Sequence, residues 1–146
     1  MLVAEHARAA SLFSKLETRT ATVGIVGMGY VGLPLASAVA RAGFNVIGFD
    51  IDRSKVEKLN GGKSYIDAVS DAALQSHMAE KLFRASCDFA QFEECDVIAI
   101  CVPTPLTKQR EPDLSFVEKT TRSIAQHLRK EQLVLLESTT YPGTTD

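Results

Sequence analysis

The sequence predicts an α/β fold, a doubly wound parallel sheet truncated after about five strands. Three observations predict it. Short apolar runs alternate along the chain with segments of helical periodicity, and a glycine-rich turn joins the first run to the first helix. The run from Asp96 to Val102 is apolar on both faces, as a central parallel strand is. Right-handed crossovers between such strands place helices on both faces of the sheet.

Leu2, His6, Ala9, Ala10, Phe13 and Leu16 recur at helical spacing, so residues 1–20 read as an amphipathic helical extension ahead of the main domain, 21–146. Ala21 to Val26 is a β-rich run ending in glycine, and Tyr30 to Ala42 continues at helix length until Gly43 stops it. Pro34 falls near the first turn of that helix, where a missing N–H costs little. Asn45 to Phe49 forms the next strand and ends at Asp50; Ser54 to Leu59 is a short helix closed by Gly61 and Gly62. Gly62 to Ala68 reads as a loop, Ser70 to Leu82 as a helix and Phe83 to Ser86 as a short strand. Pro103 and Pro105 end the fourth strand. Asp113 is positioned to cap a helix with Leu114, Val117, Thr121, Ile124 and Leu128 along one face, and Leu133 to Leu136 supplies the fifth strand.

With 146 residues, 45% of them hydrophobic, the chain can bury one core, and roughly 70% of the unfolded surface at this size. Sixteen basic against eighteen acidic residues leave a charge of -2, with no like-charge block that would grip nucleic acid or an anionic lipid surface. Nucleic-acid and membrane partners are therefore not expected. The N-terminal residues lack the apolar core of a signal peptide, and no run approaches the ~20 apolar residues of a membrane span. Cys87, Cys95 and Cys101 form neither a disulfide framework nor a metal-ligand spacing, so the expectation is a reducing cytoplasm and no metal.

Gly27-Met28-Gly29-Tyr30-Val31-Gly32 fits the G-x-G-x-x-G pattern between a strand and a helix. In that context the first glycine permits the tight turn, the second lets backbone approach a pyrophosphate, and the third lets the helix pack close to the sheet. The helix N-terminus favours the negative charge. The pattern predicts dinucleotide binding. Asp50 closes the second strand about 20 residues on, where a carboxylate accepts hydrogen bonds from an adenosine ribose and repels a 2′-phosphate, favouring NAD over NADP. The alternative is that Asp50 merely caps a turn. Val102 to Leu106 and Glu137 to Gly143 follow the fourth and fifth strands at the sheet end where ligands bind; from spacing alone they read equally well as a rigid pocket lining or as ordinary proline turns.

Gly27 to Ala36, Val102 to Leu106 and Glu137 to Thr145, three motifs in order, resemble the nucleotide-sugar (UDP-sugar) 6-dehydrogenase family, and the run Pro105 to Leu114 looks most like its bacterial branch acting on UDP-N-acetylglucosamine for surface-polysaccharide synthesis. The resemblance implies an NAD-dependent, two-step oxidation of a sugar C6 hydroxyl to a carboxylate through a covalent thiohemiacetal on a cysteine. It assigns Gly27, Met28, Gly29, Tyr30, Val31 and Gly32 to the pyrophosphate, Asp50 and Lys55 to the adenosine ribose, and Val102 and Thr104 to cofactor contact. Ser138 and Thr139 would face the nicotinamide, with Thr139 helping to position a catalytic water. Lys55 stands where the family often has arginine. The nucleophilic cysteine and the UDP-sugar domain would lie in a part of the family's chain that this sequence lacks, and the longer parent would be a homo-oligomer.

The three cysteines do not substitute for that nucleophile, since each falls in or beside a predicted strand without a neighbouring His or Lys. His6, His77 and His127 read as helix-face residues, and Glu111 with Asp113 as a cap rather than a carboxylate pair. A second reading keeps the fold and drops the chemistry: a stand-alone module that senses NAD(H) without catalysis.

Overall fold

The structure is a computed structural model and describes residues 11–138. Five strands form one sheet, β1 (Thr22–Val26), β2 (Asn45–Phe49), β3 (Phe83–Ser86), β4 (Val97–Ile100) and β5 (Leu133–Leu136), in the spatial order β3-β2-β1-β4-β5 with every pair parallel. The expected doubly wound sheet is present. Between the strands run α1 (Gly32–Arg41), α2 (Arg53–Asn60), α3 (Asp71–Ala79), a 3-10 helix (Phe89–Glu94) and α4 (Ser115–Gln126).

Strand alternation sorts the core into two layers. Val23 and Ile25 of β1, Val46 of β2, Phe83 and Ala85 of β3 and Val97 and Ala99 of β4 pack beneath α1, α2 and α3 with Leu33, Ala36, Leu59 and Leu74. On the other face Val26, Ile47, Phe49, Ile98 and Ile100 meet Phe92 of the 3-10 helix, Cys95 just after it and Ile124 of α4. Two glycines set how close these layers come. A Cβ on Gly24 would fall 2.7 Å from Cys95 Sγ, and one on Gly48 would fall 2.5 Å from Met28 Sδ. The free outer edge of β3 is partly satisfied by Asn60, whose side chain accepts from Ala85 N–H and donates to Ala85 O, both at 2.9 Å.

Several boundaries differ from those expected. The helix from Ser70 stops at Ala79 rather than Leu82, because Lys81 turns into left-handed backbone, φ +59°, and Leu82 leads into β3. Ser70 caps that helix by accepting from Ala73 N–H at 3.1 Å. The fourth strand is shorter than Asp96 to Val102, although Asp96 N–H and Cys101 N–H still donate to Thr22 O and Val26 O of β1. On α4 only Val117 and Ile124 of the expected face are buried; Thr121 and Leu128 are exposed. Asp113 lies one residue before the N-cap, Leu114, and accepts from Ser115 N–H at 2.9 Å, which also holds its carboxyl below the usual range. Residues 11–17 are helical, with Leu12 and Leu16 packed on the core and Phe13 exposed, so Phe13 is not on the inner face; Leu2, His6, Ala9 and Ala10 lie outside the described residues.

Two buried polar groups tie elements together. His77 Nε2 and Ser37 Oγ lie 3.0 Å apart between α1 and α3; burial, then the charge of Arg41, lowers the His77 pKa, which keeps the ring neutral. At the N-terminal ends of the strands, Asp96 accepts from Thr22 N–H and Lys15 Nζ, both at 2.9 Å, and from Arg129 Nη2 at 3.0 Å. Arg129 also donates to Glu93 O and Cys95 O, so one guanidinium joins the 3-10 segment, β4 and the approach to β5. Burial pushes the Asp96 carboxyl up, but these donors outweigh it and hold the pKa below the usual value.

A group with a depressed native pKa stabilises above its unfolded pKa, ~3.9, and that contribution is lost as pH falls through the native value. Asp96→Asn is therefore expected to lower stability at pH 7 by about 1 to 2 kcal/mol, discounted because both cations remain partly in water. Urea unfolding across pH should show the gap between the two proteins closing on acidification; a gap constant with pH would rule out the charge as its source.

Candidate functional site

A cleft of about 650 Å³ opens at the C-terminal ends of the strands, within the size range of small-molecule sites. Its walls come from the β1–α1 turn with Gly27, Gly29, Tyr30 and Val31, the end of β2 and start of α2 with Asp50, Ile51, Asp52 and Lys55, the segments after β4 and β5 with Val102 to Pro105, Glu137 and Ser138, and the rings of Phe89 and Phe116. Of the expected site residues, all but three line it. Met28 and Gly32 do not, and Thr139 lies outside the described residues.

The turn is shaped by its glycines. Gly27 has φ +97°, donates its N–H to Phe49 O at 2.8 Å, and has no room for a Cβ, which would lie 2.7 Å from Cys101 O. At Gly32 a Cβ would fall 1.7 Å from Gly27 O. Gly29 differs: nothing in the chain lies within 4 Å of where its Cβ would be. Its lack of a side chain leaves backbone open to the cleft. The N–H groups of Gly29, Tyr30, Val31 and Gly32 have no acceptor among the described residues, and α1 begins at the last of them. Free donors at a helix N-terminus have the chemistry that a pyrophosphate requires.

Met28 faces inward instead. Its side chain is fully buried in the notch over Gly48, its N–H donates to Asp50 Oδ2 at 2.9 Å, and its carbonyl accepts from the Tyr65 hydroxyl at 2.5 Å. Asp50 Oδ1 accepts from Asp52 N–H at 2.9 Å, so the carboxylate does cap the turn after β2. Each oxygen has a second lone-pair position, and Asp50 lines the cleft, so it retains acceptor capacity for hydroxyls. Asp52 caps α2 by accepting from Ser54 and Lys55 N–H, and Lys55 Nζ lies 5.8 Å from the centroid of the Tyr65 ring.

After β4, Pro105 O accepts from Asp113 N–H and Thr107 N–H donates to Glu111 O, which closes residues 105–113 into a compact loop and sets Thr104 on the cleft wall. Ser138 Oγ donates to Val102 O at 2.7 Å, tying the two segments together. Cys101 lines the cleft, yet burial pushes its thiol up to about 11; Cys95, buried among Gly24 and Phe49, is pushed up to about 12 by burial. Neither is an ionised nucleophile at neutral pH. No group of three or more His, Cys, Asp or Glu among the described residues is arranged for a metal.

Sequence reasoning gave no role to Tyr65, Phe89 or Phe116, although the last two line the cleft. Phe89 stacks on buried Phe92 with ring centroids 5.4 Å apart, a pairing across one 3-10 turn that no periodicity rule singles out. Tyr65 reaches the turn from 37 residues away.

Residues 21–146 match the UDP-glucose/GDP-mannose dehydrogenase family, NAD binding domain. The chain belongs to this family. It is 41% identical over 127 residues to the UDP-N-acetyl-D-mannosamine dehydrogenase of Escherichia coli, covering 86% of this chain and 30% of that protein, and 37% identical to the UDP-N-acetyl-D-glucosamine 6-dehydrogenase of Pseudomonas aeruginosa, covering 85% and 28%. The solved UDP-D-ManNAc dehydrogenase of Pyrococcus horikoshii superposes with a TM-score of 0.80 at 34% identity, over 85% of this chain and 30% of that one. The chain thus spans about 30% of the length of these relatives. The cofactor of this dehydrogenase domain is NAD.

Gly29→Val should fold as the unsubstituted chain does, because a Cβ there has open space around it, and should lose NAD binding by at least about tenfold. Gly32→Ala should instead lower the melting temperature, since its methyl meets Gly27 O. Thermal melts with calorimetric NAD titration separate the two; unchanged NAD affinity in folded Gly29→Val would remove the phosphate assignment.

Proposed function

We propose that this chain supplies the NAD-binding part of a nucleotide-sugar 6-dehydrogenase whose substrate is a UDP-N-acetylhexosamine, UDP-N-acetylglucosamine in the first instance. The observation that carries the reading is the Gly29 opening, with its four unpartnered N–H groups, set beside a carboxylate that retains acceptor capacity. The segment 105–113 and the N-acetylhexosamine relatives support the choice of sugar. In this reading residues 1–20 are an extension, 21–146 the cofactor domain, and the UDP-sugar site and catalytic thiol belong to a domain outside this chain. The longer protein acts in the cytoplasm as a homo-oligomer, with neither nucleic acid nor membrane as partner; no helix among the described residues is long and apolar enough to cross a membrane.

The backbone N–H groups of Gly29 to Gly32 would hold the pyrophosphate and Asp50 the adenosine ribose hydroxyls, with Lys55 beside it. Val102, Thr104, Ser138 and, by resemblance, Thr139 would border the nicotinamide. NAD, when bound, supplies a hydride acceptor. The chain's own part is to bind and orient: such preorganisation can remove ~7 to 11 kcal/mol of barrier, but only where a substrate is oriented against it.

Two outcomes follow. Asp50 should repel a 2′-phosphate, so the chain should prefer NAD to NADP and Asp50→Asn should narrow the preference about tenfold, or ~1.4 kcal/mol; titrating both cofactors against both proteins checks this, and tighter NADP binding by the unsubstituted chain would contradict it. With the cleft-side Cys101 thiol and the buried Cys95 thiol both held protonated, the chain alone should not turn over NAD and UDP-N-acetylglucosamine, whereas a longer protein containing it should. The readout is NADH absorbance. Turnover by the chain alone that disappears in Cys101→Ala would overturn the reading, and NAD binding without turnover in the longer protein would favour a sensing module.

A further inference from the structure

The sequence between α2 and α3, residues 61–70, enters no motif of the site, yet it sends one side chain to the centre of the cofactor turn. Tyr65 Oη donates to Met28 O at 2.5 Å, and its half-buried ring packs with the core under α1 to α3. Met28 O belongs to the peptide that carries the Gly29 N–H. In a trans peptide the carbonyl and the N–H point in opposite directions, so a donor that fixes one fixes the other. The preceding peptide is also held, with Met28 N–H on Asp50 Oδ2 at 2.9 Å. Between them Tyr65 and Asp50 hold both polar groups of Met28, and its side chain is locked over Gly48. What is left unpartnered is the Gly29 N–H, at the residue whose missing side chain opens the cleft.

We infer that Tyr65 is a positioning residue for the phosphate cradle: its hydroxyl holds the Met28 carbonyl away from the ligand and so aims the Gly29 N–H at the pyrophosphate. Without that hydroxyl, the Met28–Gly29 peptide can rotate, and a flipped peptide presents a carbonyl oxygen where an anion should bind. Glycine at position 29 makes such a flip sterically easy. The turn therefore needs an external restraint. Tyr65 can supply it only as a donor. Its pKa is raised well above the ordinary tyrosine value by burial and then by the charges of Asp50 and Asp52, which keeps the hydroxyl protonated.

This inference rests on the NAD reading, and the test separates their failures. Tyr65→Phe keeps the ring beneath Lys55 and removes only the hydroxyl. NAD and adenosine, which lacks phosphate, are titrated by NMR into the ¹⁵N-labelled chain and into Tyr65→Phe, well below the melting temperature of either. The expected result is NAD affinity reduced about three- to tenfold in Tyr65→Phe, as for one lost hydrogen bond. Adenosine affinity should be unchanged, and the Gly29 amide resonance should be displaced in the free protein. Equal loss for both ligands would make Tyr65 a general packing residue, and no loss for either would remove its role in binding; each overturns the inference. Failure of the unsubstituted chain to bind NAD would overturn the cofactor reading itself. Tyr65→Leu guards against a folding artefact: a lowered melting temperature without a further loss of NAD affinity relative to Tyr65→Phe places the effect in the hydroxyl, and a further loss places it in the ring and overturns the inference.

Discussion

The first turn of α1 sits against the carbonyl of Gly27 so closely that residue 32 cannot carry a Cβ; a methyl there would lie 1.7 Å from Gly27 O. That contact fixes where the helix begins relative to the end of β1. From it follow the burial of Leu33, Ala36 and Ala40 against the sheet and the direction in which the free N–H groups of the turn point. Packing and binding thus share a single geometric requirement. Had the helix stood off by the width of a side chain, the apolar layer beneath it would be thinner and the donors would diverge.

The two ends of the sheet are finished differently. At the N-terminal end Asp96, Lys15, Arg129 and Gln132 bond to strand ends and to the carbonyls of the 3-10 segment. At the C-terminal end the polar groups face outward from glycines, prolines and a carboxylate, and the enclosed space is left to a ligand. A parallel sheet aligns all its strand ends in this way, so one edge can carry the restraints while the other carries the site. Asp50 and Tyr65 are the exceptions, restraining the turn from the same end, and Asp50 is also part of the site wall.

Local signals made most of this legible. β2 stands where the sequence places it because its apolar run is bounded by residues that break it, Gly43 and Asp50, and β3 occupies the four residues expected of it. The α3 boundary was not legible, because Glu80 to Leu82 favour helix and only the demand of β3 for a strand start forces Lys81 into left-handed backbone. Within the glycine motif, the positions that need glycine could be read, but the orientation of Met28 could not; it depends on a notch at Gly48, two strands' worth of sequence away. Tyr65 was invisible for the same reason. Its contact spans 37 residues and has no period or motif to announce it.

The three glycines of the turn carry different histories in prospect. Gly27 and Gly32 are held by the protein itself, through a positive φ and a backbone clash, so any descendant that keeps the fold must keep them. Gly29 is held by nothing in the chain. In a lineage where the ligand ceased to matter, drift would reach position 29 first and leave its two neighbours intact, so that one residue would date the loss of binding while the fold went on unaltered.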